Sequence, residues 1–246
     1  MLLTDPTDLS PETAAEVTRV LKSGGTVYVL GGTQAVSAHV ASQLSALQGA
    51  KVVRLDGPDR YATSVAIAEE LQRIGKASGP IYLGAGTDAS MAAPLAARTD
   101  GVVLLTKDGS LPPSVQSYLG SADPKGSRAT PIGGPAARAV PAAGSRSIVG
   151  ADRYETSSLV ARSYTASGSA PSAFGLASGT SWADTVTGAA AMALLGGPLL
   201  LTEPDHLTGT TKASITAASS MRSAVIVGGE QAVSPDVANS LKQMGF

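Results

Sequence analysis

The stretch Arg54-Leu-Asp-Gly-Pro-Asp-Arg-Tyr-Ala-Thr63 determines how the chain is organised, because a close copy returns as Ile148-Val-Gly-Ala-Asp-Arg-Tyr-Glu-Thr156. The two Asp-Arg-Tyr triplets lie 93 residues apart (152 − 59). This period is the size of a small domain, and it exceeds the roughly 20–50 residues that are typical of solenoid repeats. The sequence therefore predicts tandem repeats, each with a small core of its own.

Two further motifs recur in step with this one. Leu-Leu-Thr occurs at residues 2–4, 104–106 and 200–202, and a pair of glycines follows each copy after 27, 27 and 26 residues, counted from the threonine to the first glycine (31 − 4, 133 − 106, 228 − 202). The pairs are Gly31 and Gly32, Gly133 and Gly134, and Gly228 and Gly229. We therefore predict the C-terminal half of a first repeat over 1–50, a second repeat over 51–145 and a third over 146–246.

Composition narrows the class of protein. The 246 residues are 43% apolar, carry a formal net charge of −1 and have a pI near 6.1. Nucleic-acid binding needs a basic face and is not expected, and no apolar run approaches the length of a membrane span. There is no cysteine, so neither disulfides nor thiolate chemistry can occur. The first residues lack a basic and then apolar leader, so we expect any secretion signal to lie upstream of Met1.

Short apolar strands alternate with amphipathic helices along the whole chain. Continuous apolar strands are typical of parallel sheets that helices cover on both faces. We therefore predict an α/β fold made of small, mostly parallel, three-layer units. Asp59 and Asp152 are placed to cap the helices that follow them. Pro135 and Pro141 predict that the helix after the second glycine pair is short or absent.

These motifs together resemble the type-two cell-wall-binding repeat family, found in surface-layer and wall-associated proteins of Gram-positive bacteria. The resemblance covers essentially the whole chain. The family's opening pattern, Arg-x-x-Gly-x-Asp-Arg-Tyr-x-Thr, matches residues 54–63 and, without the first arginine, residues 150–156. Its second element matches residues 177–179 with Asp184, and its closing Gly-Gly-x-x-Ala-Val-Ser matches residues 31–37 and 228–234.

The resemblance implies a non-covalent anchor outside the cell, at the cell wall or surface. The expected partner is an anionic cell-wall glycopolymer or a peptidoglycan-linked polymer, and the expected arrangement is pseudo-threefold with its first unit incomplete. Two positions depart from the family pattern. Counting from Gly86 and Gly179 puts Met91 where the third repeat has Asp184, and Arg146 lies near the place of Arg54 without occupying it.

The matched positions that could bind a polymer are charged or aromatic. They are Arg54, Asp59, Arg60, Asp152, Arg153, Trp182 and Asp184. Guanidinium groups can grip phosphate or carboxylate groups bidentately. A purely structural interpretation is also open, with each aspartate capping a helix and each arginine pairing with a carboxylate or carbonyl where repeats meet. Trp182 could stack on a sugar or simply pack against the protein.

The glycine pairs leave strands and precede helices, where backbone N–H groups can bind anions. The favoured interpretation is a tight turn that needs a positive φ, with anion binding as the alternative. The stretch Gly84-Ala-Gly-Thr-Asp-Ala89 fits a dinucleotide-binding pattern, with Asp108 placed for a ribose contact. The same pattern fails in the third repeat, and Pro94 is expected to interrupt the following helix.

No catalytic constellation, metal site or cofactor is predicted. His39 and His206 fall in different repeats and lack zinc spacing. The favoured function is thus a non-catalytic wall-binding module. A structural, self-assembly or protein-interaction module is the alternative, and a nucleotide-using enzyme is a third. Because the first repeat lacks its Asp-Arg-Tyr half, its apolar surface would be left bare. We therefore expect either self-association through residues 1–50 or a gap that the chain's own neighbouring unit fills.

Overall fold

The computed structural model describes residues 1–166 and 170–246. In this part of the chain, all pairings between strands are parallel. The strands are β1 Thr26–Leu30, β2 Lys51–Leu55, β3 Ile81–Gly84, β4 Val102–Leu105, β5 Ala129–Ile132, β6 Ala173–Ser178, β7 Leu199–Thr202 and β8 Ser223–Val227. The helices are α1 Pro11–Val20, α2 Ala38–Ala46, α3 Arg60–Arg73, α4 Thr87–Arg98, α5 Pro113–Ala122, α6 Gly133–Ala139, α7 Arg153–Ala166, α8 Trp182–Leu195, α9 Gly209–Ala217 and α10 Pro235–Gln243. The predicted α/β fold is confirmed.

The chain divides into two compact units, Met1–Ile74 and Gly75–Phe246. In the first, β1 pairs with β2 from Thr26 opposite Lys51 to Leu30 opposite Leu55. Val29 packs with residues of α1 and α2 on one face of this sheet. On the other face, the Tyr28 hydroxyl lies 2.9 Å from Glu70 Oε1 of α3. The unit is therefore three-layered around a sheet of two strands.

The second unit contains two three-stranded sheets, ordered β4-β3-β5 and β7-β6-β8. In each, the strand that comes first in the sequence lies in the middle. A further bridge pairs Ile132 with Ile148 in parallel. The residues before each Asp-Arg-Tyr triplet thus pair with the strand before the preceding glycine pair, as β2 does with β1. These pairings cross the predicted repeat boundaries, so the boundaries rest on the sequence period alone and stay a prediction.

Helix α7 joins the two sheets of the second unit. Its Val160 and Tyr164 pack with Tyr82 and Leu95 of the second repeat. The Tyr164 hydroxyl donates to the carbonyl of Gly197, 3.2 Å away in the third repeat. Met91 of α4 also packs among residues of the third repeat. The second and third repeats therefore share their hydrophobic cores and do not form separate domains.

The repeated motif Gly-x-Asp-x-x-x-Thr has a local physical cause. Asp59 and Asp152 accept the N–H three residues on, at 2.7 and 2.8 Å, as predicted for caps. Each threonine, four residues after its aspartate, accepts the N–H of the glycine that precedes the helix. A Cβ on Gly57 would lie 2.5 Å from the Ala62 Cβ, and one on Gly150 2.5 Å from the Thr156 nitrogen, so only glycine fits there.

Two expectations about proline had different outcomes. The helix after the second glycine pair is short, as predicted: α6 spans 7 residues, whereas α2 and α10 span 9 each. The expectation that Pro94 interrupts a helix was wrong, because α4 runs through it from Thr87 to Arg98. A proline costs an internal hydrogen bond, about 3 kcal/mol. Burial of most of α4 against α7, α8 and β3 offsets that cost.

Candidate functional site

The predicted site residues of the second unit gather at the carboxyl ends of its strands. Gly133 follows β5, Gly179 follows β6, and Gly228 follows β8. The helices α4, α7 and α8 begin at the same edge with Asp88, Arg153 and Asp184 in their first turns. Ligands of open parallel sheets bind at this edge, because the loops there are free of ladder hydrogen bonds.

Arg153, the first residue of α7, is anchored at this edge. Its Nη1 donates to the Gly179 carbonyl at 2.5 Å. A Cβ on Gly179 would lie 2.9 Å from Arg153 Cδ and 2.6 Å from Tyr154 Cε1, so a glycine is needed for this approach. The charge of Arg153 also acts on Asp88 of the second repeat. The guanidinium is therefore held at this edge by a backbone carbonyl of its own repeat.

Asp88 is half-buried against the turn at Gly133, where a Cβ would overlap its carboxylate. Burial raises the pKa of this carboxyl to about 6, and the positive charge of Arg153 opposes the rise. The third repeat has the same arrangement. Asp184 lies against the turn at Gly228, and Ser181 Oγ donates to its Oδ2 at 2.5 Å.

This geometry corrects the predicted equivalence of Asp184 with Met91. Asp88 takes the place of Asp184, because each carboxylate meets the first glycine of the pair that closes its repeat. Met91 is fully buried beside Ala189 and Met192. Counted from Gly86 and Gly179, the aspartate lies two residues later in the second repeat and five residues later in the third (88 − 86, 184 − 179), so ungapped counting misaligned them. Sequence analysis therefore missed Asp88, although its place at the start of a buried helix was visible.

Tyr154 extends the site towards the end of β7. Burial, followed by a hydrogen bond to the Glu203 carboxylate, raises the pKa of Tyr154 to about 12. Glu203 was not predicted as a site residue. Its signal was its position directly after the third Leu-Leu-Thr motif. Trp182 is the first residue of α8 and is 62% exposed, so it is available to a ligand and packs little.

In the first unit, Arg54 is occupied within the protein. Its Nη1 donates to the Gly31 carbonyl at 2.6 Å and its Nη2 to the Ser37 carbonyl at 3.4 Å. Arg60 is the first residue of α3 and is exposed. Arg146 donates to Gly126 and Ala129 at the amino end of β5, in agreement with the prediction that it does not replace Arg54.

The glycine pairs form tight turns. Their first members, Gly31, Gly133 and Gly228, have φ of +109°, +81° and +111°, a region that favours glycine. The N–H of Gly31 and of Gly133 donates to the neighbouring strand. Asp88 and Asp184 place carboxylates against two of these turns. An anion bound at either turn would lie beside one of these carboxylates and be repelled by its negative charge. Asp88 disfavours a phosphate at the start of α4 for the same reason.

Within residues 1–166 and 170–246, no group of three or more histidine, cysteine or acidic side chains could hold a metal ion. In the same residues, no helix is both long and apolar enough to cross a membrane.

Comparison with known proteins gives the family and the fold. The model of cell wall binding domain 2 matches residues 54–139 and 147–238. The structure of Cwp6 from Clostridium difficile superposes with a TM-score of 0.80 at 23% identity, covering 94% of this chain and 37% of that one. Cwp8 from Clostridium difficile gives 0.77 at 22% identity, covering 99% of this chain and 42% of that one. This chain thus spans less than half the length of either. No curated protein matches the sequence.

Proposed function

This chain belongs to the cell wall binding domain 2 family, and we propose that it holds a larger surface protein on the wall by binding an anionic wall polymer non-covalently. Because it belongs to this family, the chain is a cell wall binding module. We propose that it works outside the cell and by binding without catalysis. Support for the second point comes from the family, which is one of binding modules.

The observation that supports an anionic ligand is the setting of Arg153. One nitrogen is held by the Gly179 carbonyl, and this fixes the direction of an exposed guanidinium at the ligand-binding edge of the sheets. A fixed guanidinium loses little entropy when it binds a phosphate or carboxylate, and it offers paired N–H donors. Trp182 supplies an exposed ring on the same edge for a sugar.

The test is co-sedimentation of the protein with purified walls at several salt concentrations. We expect Arg153→Ala to weaken binding about tenfold to a hundredfold, because a hydrogen bond to a charged group contributes roughly 1.5–3 kcal/mol. Its salt dependence should also flatten, since fewer charges are paired. Arg60→Ala should act in the same direction. Walls stripped of anionic polymer should not bind the unmodified protein.

Arg146→Ala is the matched control, because that guanidinium is also held by backbone carbonyls, those of Gly126 and Ala129, but at the amino end of β5. It should leave wall binding unchanged. If Arg153→Ala unfolds much earlier and binds normally wherever it is folded, Arg153 is a structural residue. Undiminished binding to stripped walls would show that the ligand is not the anionic polymer.

A structural or interaction module that binds no polymer is the second candidate. One observation favours it: the first unit presents an open sheet edge with apolar side chains beside it. The stripped-wall experiment separates the two candidates, because an interaction module would be indifferent to the polymer.

A further inference from the structure

The edge of β1 that faces away from β2 has no partner strand among the described residues, whereas its counterparts in the other repeats pair with a central strand on that side. β5 and β8 also precede a glycine pair, and each lies beside a central strand, β3 or β6. Among the described residues, β1 belongs to a sheet of two strands and pairs with β2. The internal repeats therefore identify the kind of element that fits beside β1: a parallel strand of the β3 or β6 type.

The direction of the backbone groups shows what this edge offers. Gly31 N donates to Leu55 O, and Lys51 N donates to Gly25 O. In a parallel ladder, each residue directs its N–H and its C=O to the same neighbouring strand, and successive residues alternate between the two sides. The N–H and C=O groups of the odd-numbered residues of β1 therefore point towards β2. Thr26, Tyr28 and Leu30 then present their N–H and C=O groups to the open edge. None of the three is charged or proline, the residues that proteins use to block edges.

The segment that would flank the missing strand on its other side is held in the same way as its counterpart in the third repeat. Ser37 N donates to Pro6 O at 2.8 Å, as Ser234 N donates to Pro204 O at 2.8 Å. The segment after the first Leu-Leu-Thr motif is therefore attached as it is in the third repeat, where β6 lies between β7 and β8. Leu2 and Leu3 are 45% and 47% exposed.

Side-chain exposure shows that a helix should accompany the strand. Leu30 is 41% exposed, whereas Ile132, the residue at the same place in the second repeat, is fully buried with Ala92 and Leu95 of α4. In the third repeat, Val227 has the same place and lies against Gly188 of α8. The helix that follows the central strand covers this position in both cases.

We propose that the open edge of β1 binds, in parallel register, the strand–turn–helix half of another wall-binding repeat that lies outside residues 1–246. The occupant has an apolar strand of the Ile81–Gly84 or Ala173–Ser178 type, a glycine turn and a helix rich in small residues. Backbone hydrogen bonds supply affinity, and apolar contact with the exposed Leu30 side chain supplies specificity. This interaction is separate from the proposed polymer contacts of Arg153 and Trp182, which lie in Gly75–Phe246.

The probe is a synthetic peptide with the sequence of residues 78–99, added to the 246-residue chain. We expect saturable binding by calorimetry and a higher melting temperature of the complex, because a ligand that binds only the folded state stabilises it. The same peptide with proline at the position of Leu83 should bind at least tenfold more weakly. Absence of binding by the unchanged peptide would overturn the proposal.

Protein variants locate the binding edge. Tyr28→Pro removes an N–H from the open edge and leaves the bonds to β2 in place, so peptide binding should be lost. Tyr28→Phe is the matched control, since it loses only the bond to Glu70 and should bind normally. Leu30→Lys should also abolish binding, and it keeps the test valid if Tyr28→Pro fails to fold.

Two results would contradict this assignment. Normal peptide binding by both Tyr28→Pro and Leu30→Lys would place the peptide elsewhere. Light scattering that shows a dimer of the unmodified chain, dissolved by Leu30→Lys but not by the peptide, would make a second copy the occupant. Arg153→Ala should bind the peptide normally, so failure here is distinguishable from failure of the wall-binding proposal.

Discussion

Helices α3 and α7 begin with the same motif and lie in different surroundings. In both, an aspartate caps the helix and a threonine hydroxyl holds the preceding glycine N–H, at 3.1 Å in each case. α7 buries Ser157, Val160 and Tyr164 against β7, α4 and α9. α3 buries only Ser64 and Ala68, and it packs on β2.

The comparison separates two kinds of information in the motif. The start of the helix depends on contacts within ten residues, so both copies form it identically. The depth of burial depends on neighbouring elements that lie far away in the sequence. Residues at matching positions of the two helices should therefore differ in their contribution to stability wherever tertiary neighbours differ, and should agree wherever the contacts are local.

The largest expected difference is between Tyr164 and its counterpart Leu71, 93 residues earlier (164 − 71). Tyr164 is fully buried and lies under the Arg98 guanidinium, 5.6 Å from the ring centroid. Truncating a buried aromatic side chain costs about 3–5 kcal/mol through lost transfer energy and the cavity left behind. Leu71 is half-buried, so Leu71→Ala should cost about 1 kcal/mol.

Denaturant unfolding of Tyr164→Ala and Leu71→Ala measures both free energies. Equal losses of unfolding free energy would show that α3 and α7 are packed equally deeply, contrary to this prediction. Tyr164→Phe is a useful intermediate, since it keeps the ring and removes the hydrogen bond to Gly197.

The next effect concerns Asp88, which lies in the field of Arg153 at the start of α7. Its pKa is raised from 3.8 to about 6 in the folded protein. Between about pH 4 and 6 the folded state keeps a proton that the unfolded state has lost, so the free energy of unfolding falls as the pH rises through this window. Asp88→Asn has no such proton, and it should be more stable than the unmodified protein above pH 6, by about 1–3 kcal/mol.

Melting temperatures from pH 4 to pH 8 test this directly. The advantage of Asp88→Asn should shrink as the pH falls and vanish near pH 4, where both side chains are neutral. A constant difference across the range would show that the effect comes from packing and not from the charge of Asp88.

The smallest effect should be the same in both helices. Asp59→Ala and Asp152→Ala each remove a cap that accepts one backbone N–H. Each should destabilise its helix by about 1 kcal/mol, because the lost interaction is local. Hydrogen exchange of the first-turn amides of α3 and α7 measures the two losses separately. A clearly larger loss in α7 would show that Asp152 does more than cap.

Local rules predicted the elements of the molecule well. The capping aspartates, the glycine turns with positive φ, the short α6 and the parallel strands were all predicted from patterns within a few residues. Pro94 was misjudged because a proline's cost is local while the burial that offsets it is not. Asp88 was missed because its equivalence to Asp184 depends on which turn each carboxylate touches, and a three-residue gap hides that from counting.

The sequence by itself determined the repeat, the α/β class and the family, because period, apolar pattern and turn residues are written along the chain. Only tertiary contacts bring the residues before each Asp-Arg-Tyr triplet beside the preceding repeat, fix the Arg153 guanidinium on the Gly179 carbonyl and leave β1 with an open edge. The physical reason is that hydrogen-bond partners in a parallel sheet and neighbours in a shared core are distant in sequence. Their choice depends on how much surface every competing arrangement would bury.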